Sequence, residues 1–477
     1  MRYLARVKRG GGFTLPPGPT APAAGSVSTD FDALYSGGWA ANSATNALTI
    51  PTQSKPAKST DIMTGGYRDQ RYDTEIRRVT AAADQTGATA HRMRHEYSKR
   101  QAFNADDTKR FAQGESGWWF LYDAATNAII PQGVTTGAGT GGIQGMAGDC
   151  EPIWHPTDPD KWWHTDLNGG LVWQERTFVS SGTAPSSSTL IDFTSHLSAL
   201  GSPWSTGARV WFIGEGRPSN DGRWWGMAVE TSGFSNIGMI MYDRQTNAIT
   251  GSVLTSGNRP NWVGTSPLGN YIVASWYGAA AASIAAEEAL ATSAAVGVRA
   301  YDRSGAFVRS LSVLGEHADL AIDTAGNEVY VSVSFHGTAD GLTDDCLFVR
   351  RLSDGTAWEV AGVDPFAQGT GGESMHISGC NADRPGWCLA NFYGTLSGGP
   401  YGGTVIAVEL KASSPRVLRL AHTHGATSST VTSDPAYWSE SQATVNRDFT
   451  RVVFASAFQT GDVEDYQICL PSWAIPT

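Results

Sequence analysis

The segment Tyr97-Ser-Lys-Arg-Gln-Ala-Phe-Asn-Ala-Asp-Asp-Thr-Lys-Arg110 recurs near the other end of the chain as Tyr437-Trp-Ser-Glu-Ser-Gln-Ala-Thr-Val-Asn-Arg-Asp-Phe-Thr-Arg451. Each copy places a Gln-Ala pair before an Asn-x-Asp-x-Thr sequence, and the second copy continues into Val-Val-Phe-Ala-Ser456. Asn and Asp favour turns because their side chains hydrogen-bond to the local backbone. The two copies therefore predict one kind of hairpin, in which a tight polar turn joins two strands.

Weaker copies of this hairpin fill the middle of the chain, with a polar tip before a run of strand-forming residues. They lie at residues 154–160, 261–270, 321–327 and 380–386. A second pattern, an aromatic residue followed by Asp and a small polar turn, begins at Tyr122, Tyr242 and Tyr301 and predicts the outer hairpins of three repeats. Short strands with turn signals at even spacing are typical of all-β repeat folds. We predict a single β-propeller of about seven blades, with six or eight left open, and rank a pair of β-sandwiches below it.

The two ends of the repeat array also predict how the ring closes. Residues 72–80 have the pattern of an outermost strand with no inner strands before it, whereas residues 464–470 have that of a third strand with nothing after it. Together they would complete one blade. Such closure removes the free sheet edges that would otherwise pair with other chains.

Composition agrees with a large β domain and excludes some partners. The chain has 477 residues, 55 Gly and 22 Pro, with only 17% charged residues. We assign residues 61–477 to the propeller and residues 1–60, rich in Gly, Ala, Ser, Thr and Pro, to a flexible or loosely packed arm. The net charge of -11 argues against a duplex nucleic-acid partner. No stretch is long and apolar enough to span a membrane, and the basic N-terminus lacks the apolar core of a secretory signal.

Five cysteines make a complete set of disulfides improbable, since the number is odd. Cys380 and Cys388 are close enough to pair across a hairpin. They could instead bind a metal with His376, or remain buried thiols.

Histidines recur shortly before the inner hairpins, which would place them at one end of the central channel. They are His95, His317, His376, His422 and His424. We interpret them as a functional ring; the alternative is that they hold neighbouring sheets together. Tyr97, Tyr277, Tyr393 and Tyr437 are expected near the same opening.

Arginines and tryptophans supply further candidates for binding. Arg259 lies at the same phase of the repeat as the histidines, and an arginine binds a carboxylate through two parallel hydrogen bonds. Arg217, Arg223 and Arg384 are additional loop candidates for contacting substrate. Trp119, Trp225 and Trp262 could stack on sugar rings, or could pack between blades instead.

A metal site is predicted near the C-terminal end. His422 and His424 flank one residue, so in an extended segment both side chains face the same side. Gln442 and Glu440 could complete the ligand set.

With its His-Thr-His segment, the Gln-Ala pair and the final Asn-x-Asp-x-Thr hairpin, the chain resembles the β-propeller polysaccharide lyases of the ulvan-lyase and oligogalacturonate-lyase types. The resemblance covers most of residues 70–470, but its motifs are short. It implies β-elimination on a uronic-acid polymer, with Arg259 neutralising the carboxylate, His317 or His376 as base and Tyr97 or Tyr437 as acid. It also implies a divalent metal such as Mn or Ca at His422, His424 and Gln442. His95, Arg217, Arg223, Arg384 and the three tryptophans would contact the sugar.

The Gly/Pro-rich start of the chain departs from secreted bacterial members and is more like a bacteriophage exopolysaccharide depolymerase. The resemblance implies that the partner is an acidic polysaccharide and that the protein is located outside the cell or on a virion. The N-terminal arm would then attach it to a virion tail.

Two other functions remain open at this point. A carbohydrate-binding propeller without catalysis would use the tryptophans and need no convergent His/Arg/Tyr set. A glycoside hydrolase would need two facing carboxylates. The candidates for that pair are Glu215, Glu316, Asp319 and Glu373.

Overall fold

The fold is a β-propeller, seen in a computed structural model that describes residues 52–86, 90–255, 258–277, 281–315, 317–334, 337–342, 346–362, 375–393, 401–425, 429–458, 461–472 and 474–475. Five four-stranded sheets and one eight-stranded sheet make up the ring. The eight-stranded sheet contains the first and last blades joined at a seam, so the ring has seven blades. This confirms the all-β propeller predicted from the hairpin repeats.

Blades 2 to 6 follow one another along the chain, each an antiparallel meander. Blade 2 contains β6 (Ile153–Trp154), β7 (Lys161–His164), β8 (Val172–Thr177) and β9 (Ser186–Asp192). Blade 3 contains β10 (Arg209–Trp211), β11 (Trp224–Glu230), β12 (Asn236–Asp243) and β13 (Ala248–Leu254). Blade 4 contains β14 (Trp262–Thr265), β15 (Tyr271–Ser275), β16 (Val298–Asp302) and β17 (Phe307–Ser312). Blade 5 contains β18 (Ala318–Ile322), β19 (Glu328–Ser334), β20 (Cys346–Arg351) and β21 (Ala357–Gly362). Blade 6 contains β22 (Met375–Ser378), β23 (Trp387–Phe392), β24 (Thr404–Glu409) and β25 (Val417–His422).

The seam blades combine strands from both ends of the chain. Blade 1 contains β3 (Arg92–Arg94), β4 (Lys109–Gly114) and β5 (Trp119–Asp123). Blade 7 contains β26 (Thr444–Val445), β27 (Arg451–Ser456), β28 (Val463–Cys469) and the N-terminal β2 (Glu75–Arg78), with β1 (Tyr67–Arg68) outside it. β2 pairs antiparallel with β28, Ile76 opposite Ile468. The predicted closure is confirmed.

Helices are few and short in the described part of the chain. They are α1 (Thr194–Leu200), α2 (Ile284–Glu288) and α3 (Pro435–Trp438), and single 3₁₀ turns occur at Ala82–Asp84, Gly137–Gly139, Trp204–Thr206 and Gly337–Ala339. The predicted arm falls mostly on residues 1–51, which lie outside the described residues. In the described remainder, Lys55 and Lys58 form ion pairs with Glu464 and Asp84.

The repeated Asn-x-Asp-x-Thr sequences build the same turn in blades 1 and 7. Asn104 Oδ1 accepts from the Lys109 backbone N at 2.9 Å, and Asn446 Oδ1 accepts from the Arg451 backbone N at 2.9 Å. In both turns the residue after the Asp is left-handed, with φ of 60° at Asp107 and 62° at Phe449. The side-chain hydrogen bonds therefore fix the hairpin that the sequence predicts.

Tryptophans fill the space between the blades. Trp163, Trp173 and Trp225 belong to one buried cluster between blades 2 and 3, where the Trp173 and Trp225 rings meet edge to face at 4.9 Å. All five cysteines are free and buried, which corrects the disulfide alternative for Cys380 and Cys388.

Replacing Ile76 by alanine tests the closure. Its side chain is fully buried in the core of the last two blades, so we expect the free energy of unfolding to fall by about 2–4 kcal/mol. Denaturant titration measures this, with Leu268→Ala, which is 48% exposed, as the matched control expected within about 0.5 kcal/mol of the parent. Equal losses in the two variants would contradict the role of β2 in closure.

Candidate functional site

The first strand of each blade lies closest to the central channel. These strands contact one another from blade to blade, as β18 does with β22 and β22 with β26. Side chains that directly precede the first strands therefore meet at one end of the channel, which we call the mouth.

Five residues from four blades converge there, and we name them the mouth cluster: Tyr97 from blade 1, ahead of the inner bridge of Phe103 with Arg110, His317 from the entry to blade 5, His376 and Tyr393 from blade 6, and Glu440 from the entry to blade 7. The His317 and His376 rings lie 4.3 Å apart, and the His376 and Tyr393 rings stack at 4.7 Å. The repeat phase thus brings together Tyr97, His317 and His376 as predicted.

His317 lies between two phenols. The Tyr97 hydroxyl is 3.2 Å from Nδ1, and the Tyr393 hydroxyl is 3.3 Å from Nε2. Burial, and then the neighbouring His376, lower the pKa of His317 to about 3. The imidazole is therefore neutral near pH 7, with one nitrogen as donor and the other as acceptor. One tyrosine hydroxyl donates to the ring and the other accepts from it, so a proton can enter on one side and leave on the other.

His376 lies beneath this group, fully buried, with its Nε2–H donating to Glu440 Oε2 at 2.9 Å. Burial, and then Arg94, lower the pKa of His376, whereas burial raises that of Glu440. Gln442 links Glu440 to Arg94, whose guanidinium donates to the Gln442 amide oxygen at 2.5 Å. The hydrogen-bonded pair of His376 and Glu440 therefore packs against the ring of His317 and fixes its position.

Lys99 supplies a cation that the sequence analysis missed. Its ammonium lies 2.6 Å from Glu215 Oε2, 4.2 Å above the Trp262 ring and 5.9 Å from the centre of the Tyr97 ring. Lys99 lies in a turn closed by the Arg100 backbone N donating to the Tyr97 carbonyl at 3.1 Å, so its sequence spacing from Tyr97 did not indicate its position.

Among the described residues, Tyr437 and Tyr277 are exposed aromatic residues near the mouth, at 37% and 56% exposure. The Tyr437 hydroxyl is hydrogen-bonded to Gln442, and burial raises the pKa of Tyr437. Arg259 lies on the rim in blade 4, 41% exposed, with Nε 2.5 Å from Glu230 Oε1. It does not join the mouth cluster.

Several predicted sugar contacts have structural roles instead. His95 is buried, with Nδ1 2.7 Å from Asp465 and Nε2 2.7 Å from the Gln442 carbonyl. Arg217 donates to the Asp319 carboxylate of blade 5 at 2.7 Å and to the Leu320 carbonyl, so it connects blades 3 and 5 across the channel. These residues position the mouth rather than face it.

Arg223 and Arg384 lie in the turns after the first strands of their blades, at the end of the channel opposite the mouth. Arg223 forms two hydrogen bonds with Asp243, and buried Arg384 donates to the Ser472 carbonyl. Neither residue therefore lies at the mouth, and their contact with a sugar stays a prediction.

The three tryptophan predictions are also corrected. Trp119, Trp225 and Trp262 are at most 2% exposed, so none offers a face to a sugar. Strand alternation does not expose one member of a doublet here, because central strands in a propeller are covered on both faces by neighbouring blades.

The predicted metal ligands do not come together. His422 Nδ1 is 2.9 Å from Asp69 Oδ2, and the His422 and His424 ring centres are 6.3 Å apart. The side chain of Gln442 is hydrogen-bonded to Arg94 and Glu440 instead. Among the residues that the structure describes, no group of three His, Cys, Asp or Glu side chains has the geometry of a metal site. His422 Nε2 and His424 Nδ1 are buried without hydrogen-bond partners in that same part of the chain, so two donors are present but not a complete set.

Glu96 directly precedes Tyr97 of the mouth cluster, and its titration provides a test of the structure. Burial raises the pKa of Glu96 to about 8, with Arg100 opposing and Asp149 adding to the rise. The folded state thus holds a proton that the unfolded state releases, so stability falls as pH rises from the ordinary pKa of a glutamate to about 8. We expect Glu96→Gln to gain stability over the parent between about pH 5 and about pH 9, by on the order of 1–4 kcal/mol.

Thermal unfolding of both proteins at the two pH values measures this gain. Glu288→Gln, a change at an exposed glutamate, is the control. A pH-independent difference between Glu96→Gln and the parent would contradict the assignment.

The described part of the chain has no helix with the length and hydropathy of a membrane span.

The sequence matches no protein-family model and no curated protein. Solved structures do match by fold. One is an oligogalacturonate lyase from Vibrio parahaemolyticus, at 12% identity and a TM-score of 0.53, covering 85% of this chain and 96% of that one. Another is an oligogalacturonate lyase in complex with manganese, at 11% identity and a TM-score of 0.55, covering 89% of this chain and 100% of that one. At these identities the likeness shows the fold alone, a β-propeller shared with these lyases over most of the chain.

Proposed function

We propose that the protein is a polysaccharide lyase that cleaves a uronic-acid-containing polysaccharide by β-elimination at the mouth. The observation that carries this proposal is the neutral His317 between the hydroxyls of Tyr97 and Tyr393. The propeller shared with two oligogalacturonate lyases supports it at the level of fold.

The elimination needs a base for the carbon-bound proton and an acid for the departing oxygen. In the tautomer protonated at Nδ1, His317 accepts from Tyr393 and donates to Tyr97. The Tyr393 oxygen takes the proton from the carbon beside the carboxylate while its own proton passes to Nε2. The Tyr97 hydroxyl protonates the leaving oxygen as the carbon–oxygen bond breaks, and it recovers a proton from Nδ1. His317 ends neutral in its other tautomer, and no water is consumed.

The substrate carboxylate must be neutralised before the adjacent carbon can lose its proton. Lys99 lies below Tyr97, and Arg259 is exposed on the rim. In the proposal Arg259 binds the substrate carboxylate, as the sequence predicts. Lys99 makes the electrostatic potential near that carboxylate more positive. His376 and Glu440 position His317, because the buried His376 ring has no exposed surface.

A divalent cation such as Mn or Ca remains a proposal that none of these steps uses. His422 and His424 are the residues that offer it buried nitrogens. An acidic polysaccharide as partner, an extracellular or virion location and attachment through the N-terminal arm are likewise proposals.

A carbohydrate-binding propeller without catalysis is the second candidate. The exposed Tyr277 and Tyr437 favour it, since tyrosine rings at an opening suit sugar faces. It does not account for the buried His376–Glu440 pair beneath His317.

Incubation with a panel of uronic-acid polysaccharides, bacterial exopolysaccharides included, tests the proposal. Elimination creates a carbon–carbon double bond, so ultraviolet absorbance should rise, and His317→Ala should lower the rate on the order of 10²–10⁴-fold. His196→Ala, a change on α1 far from the mouth, is the matched control and should retain the rate. Falling viscosity without absorbance would indicate hydrolysis, and binding without either would favour the second candidate.

The pH dependence gives an independent test. Because the pKa of His317 is lowered to about 3, the neutral form persists well below the range in which an ordinary histidine gains a proton. We expect kcat/KM to lose less than about threefold between about pH 7 and about pH 5, whereas an unperturbed histidine base would lose on the order of tenfold. An inflection near the ordinary histidine pKa would exclude a pre-neutralised His317 as the group that accepts the proton from Tyr393.

A further inference from the structure

A strained turn in blade 3 lies next to the mouth. Ile213 has φ of 56°, and Glu151, which is hydrogen-bonded to the residues before and after Ile213, has φ of 52°. A β-branched residue in the left-handed region is unfavourable and persists only where the surroundings enforce it. Strain of this kind is concentrated at functional sites, so the turn must be explained by what it positions.

Two charged side chains hold the turn from both sides. Glu151 is fully buried, and its two carboxylate oxygens accept from the backbone N of Phe212 at 2.9 Å and of Gly214 at 2.6 Å. Arg100 donates to Glu151 at 3.1 Å and to the Gly214 carbonyl at 3.3 Å. The left-handed conformation of Ile213 is thus fixed by hydrogen bonds at the residues before and after it.

The residue that follows this turn is Glu215. Its Oε2 lies 2.6 Å from the Lys99 ammonium, and its side chain keeps 20% of its surface exposed. Its charge is near enough to Tyr97 and His317 to affect the pKa of both groups. Burial raises the pKa of Tyr97 and Glu215 raises it further, whereas burial lowers the pKa of His317 and Glu215 opposes that lowering. Oε1 has no hydrogen-bond partner among the described residues. The strained turn and the two buried side chains that hold it therefore present one carboxylate oxygen of Glu215 beside the mouth cluster.

We propose that Glu215 contacts the substrate through Oε1 and accepts hydrogen bonds from the hydroxyl groups of the sugar ring that lies against Tyr97 and His317. Glu151 and Arg100 are positioning residues that act through the turn. The inference rests on the proposed function and narrows its substrate class. A fixed carboxylate favours rings with unsubstituted hydroxyl groups and repels sulfate esters at the same positions, so the polymer is an unsulfated uronate polysaccharide.

Kinetics on the polymer that the parent cleaves best, in native and chemically sulfated forms, test this inference. Glu215→Gln should raise KM on the order of tenfold with a smaller change in kcat, and should narrow the preference for the unsulfated form. Glu151→Gln should raise KM and also lower kcat, because the turn relaxes. Glu175→Gln, a change in blade 2 at a glutamate that binds Lys161, is the matched control with parent kinetics.

A second variant separates positioning from folding. Glycine adopts the left-handed conformation without strain, so adding Ile213→Gly to Glu151→Gln should recover part of the lost kcat/KM. Parent-like KM and sulfate discrimination in Glu215→Gln, with an active parent, would overturn this inference and leave the proposed function standing. A parent that neither cleaves nor binds any polymer of the panel would overturn both.

Discussion

The arrangement of the mouth depends on the closure of the ring, and the closure depends on one buried carboxylate. β28 lies between two N-terminal strands, antiparallel to β2 and parallel to β3. Asp465 on β28 has no exposed side-chain surface and accepts from the backbone N and from Nδ1 of His95, each at 2.7 Å. A buried carboxylate is tolerated only when such hydrogen bonds compensate for its lost hydration. Since the partners come from opposite ends of the chain, Asp465 is satisfied only in the closed ring.

A line of polar contacts runs from this seam to the reacting groups. His95 reaches the Gln442 carbonyl, the Gln442 side chain contacts Arg94 and Glu440, and Glu440 accepts from His376. Each member is buried or half-buried and each needs the next as its partner, so a displacement at the seam would leave a polar group unsatisfied near the channel. Closure therefore fixes where His317 and Tyr97 meet, and His95, predicted to contact sugar, has its effect through this line instead.

The sequence predicted what local chemistry determines. Side-chain hydrogen bonds of Asn and Asp fix the repeated turns, so six of the seven inner hairpins and the closing strands could be located from sequence alone. The hairpin of blade 3 was missed although it has a polar turn of the same kind, in which the Trp224 backbone N donates to Ser219 Oγ and the Arg223 backbone N donates to Asp221 Oδ1. The chain before that turn depends on Glu151 from another blade. Partners distant in sequence explain the other errors. His422 is held by Asp69, and Arg217 by Asp319, and the sequence spacing of neither residue indicates its partner.

The charges at the mouth favour proton transfer at carbon over hydrolysis. A hydrolase of the usual kind needs one carboxylic acid and one carboxylate facing each other across the scissile bond. Here Glu215 is paired with Lys99, and Glu440 is paired with His376, so neither carboxylate is available as an unpaired acid or base. Asp319 forms an ion pair with Arg217. Glu316 and Glu373 lie outside the described residues. A neutral imidazole between two phenols avoids the desolvation of a charge in the ground state. In the proposed reaction His317 takes up a proton at Nε2 and releases one from Nδ1, and the carboxylates of Glu215 and Glu440 favour any positive charge that develops on its ring, since both raise its pKa. The proposed elimination removes a weakly acidic proton from carbon, and that step needs groups already placed to stabilise charge as it develops.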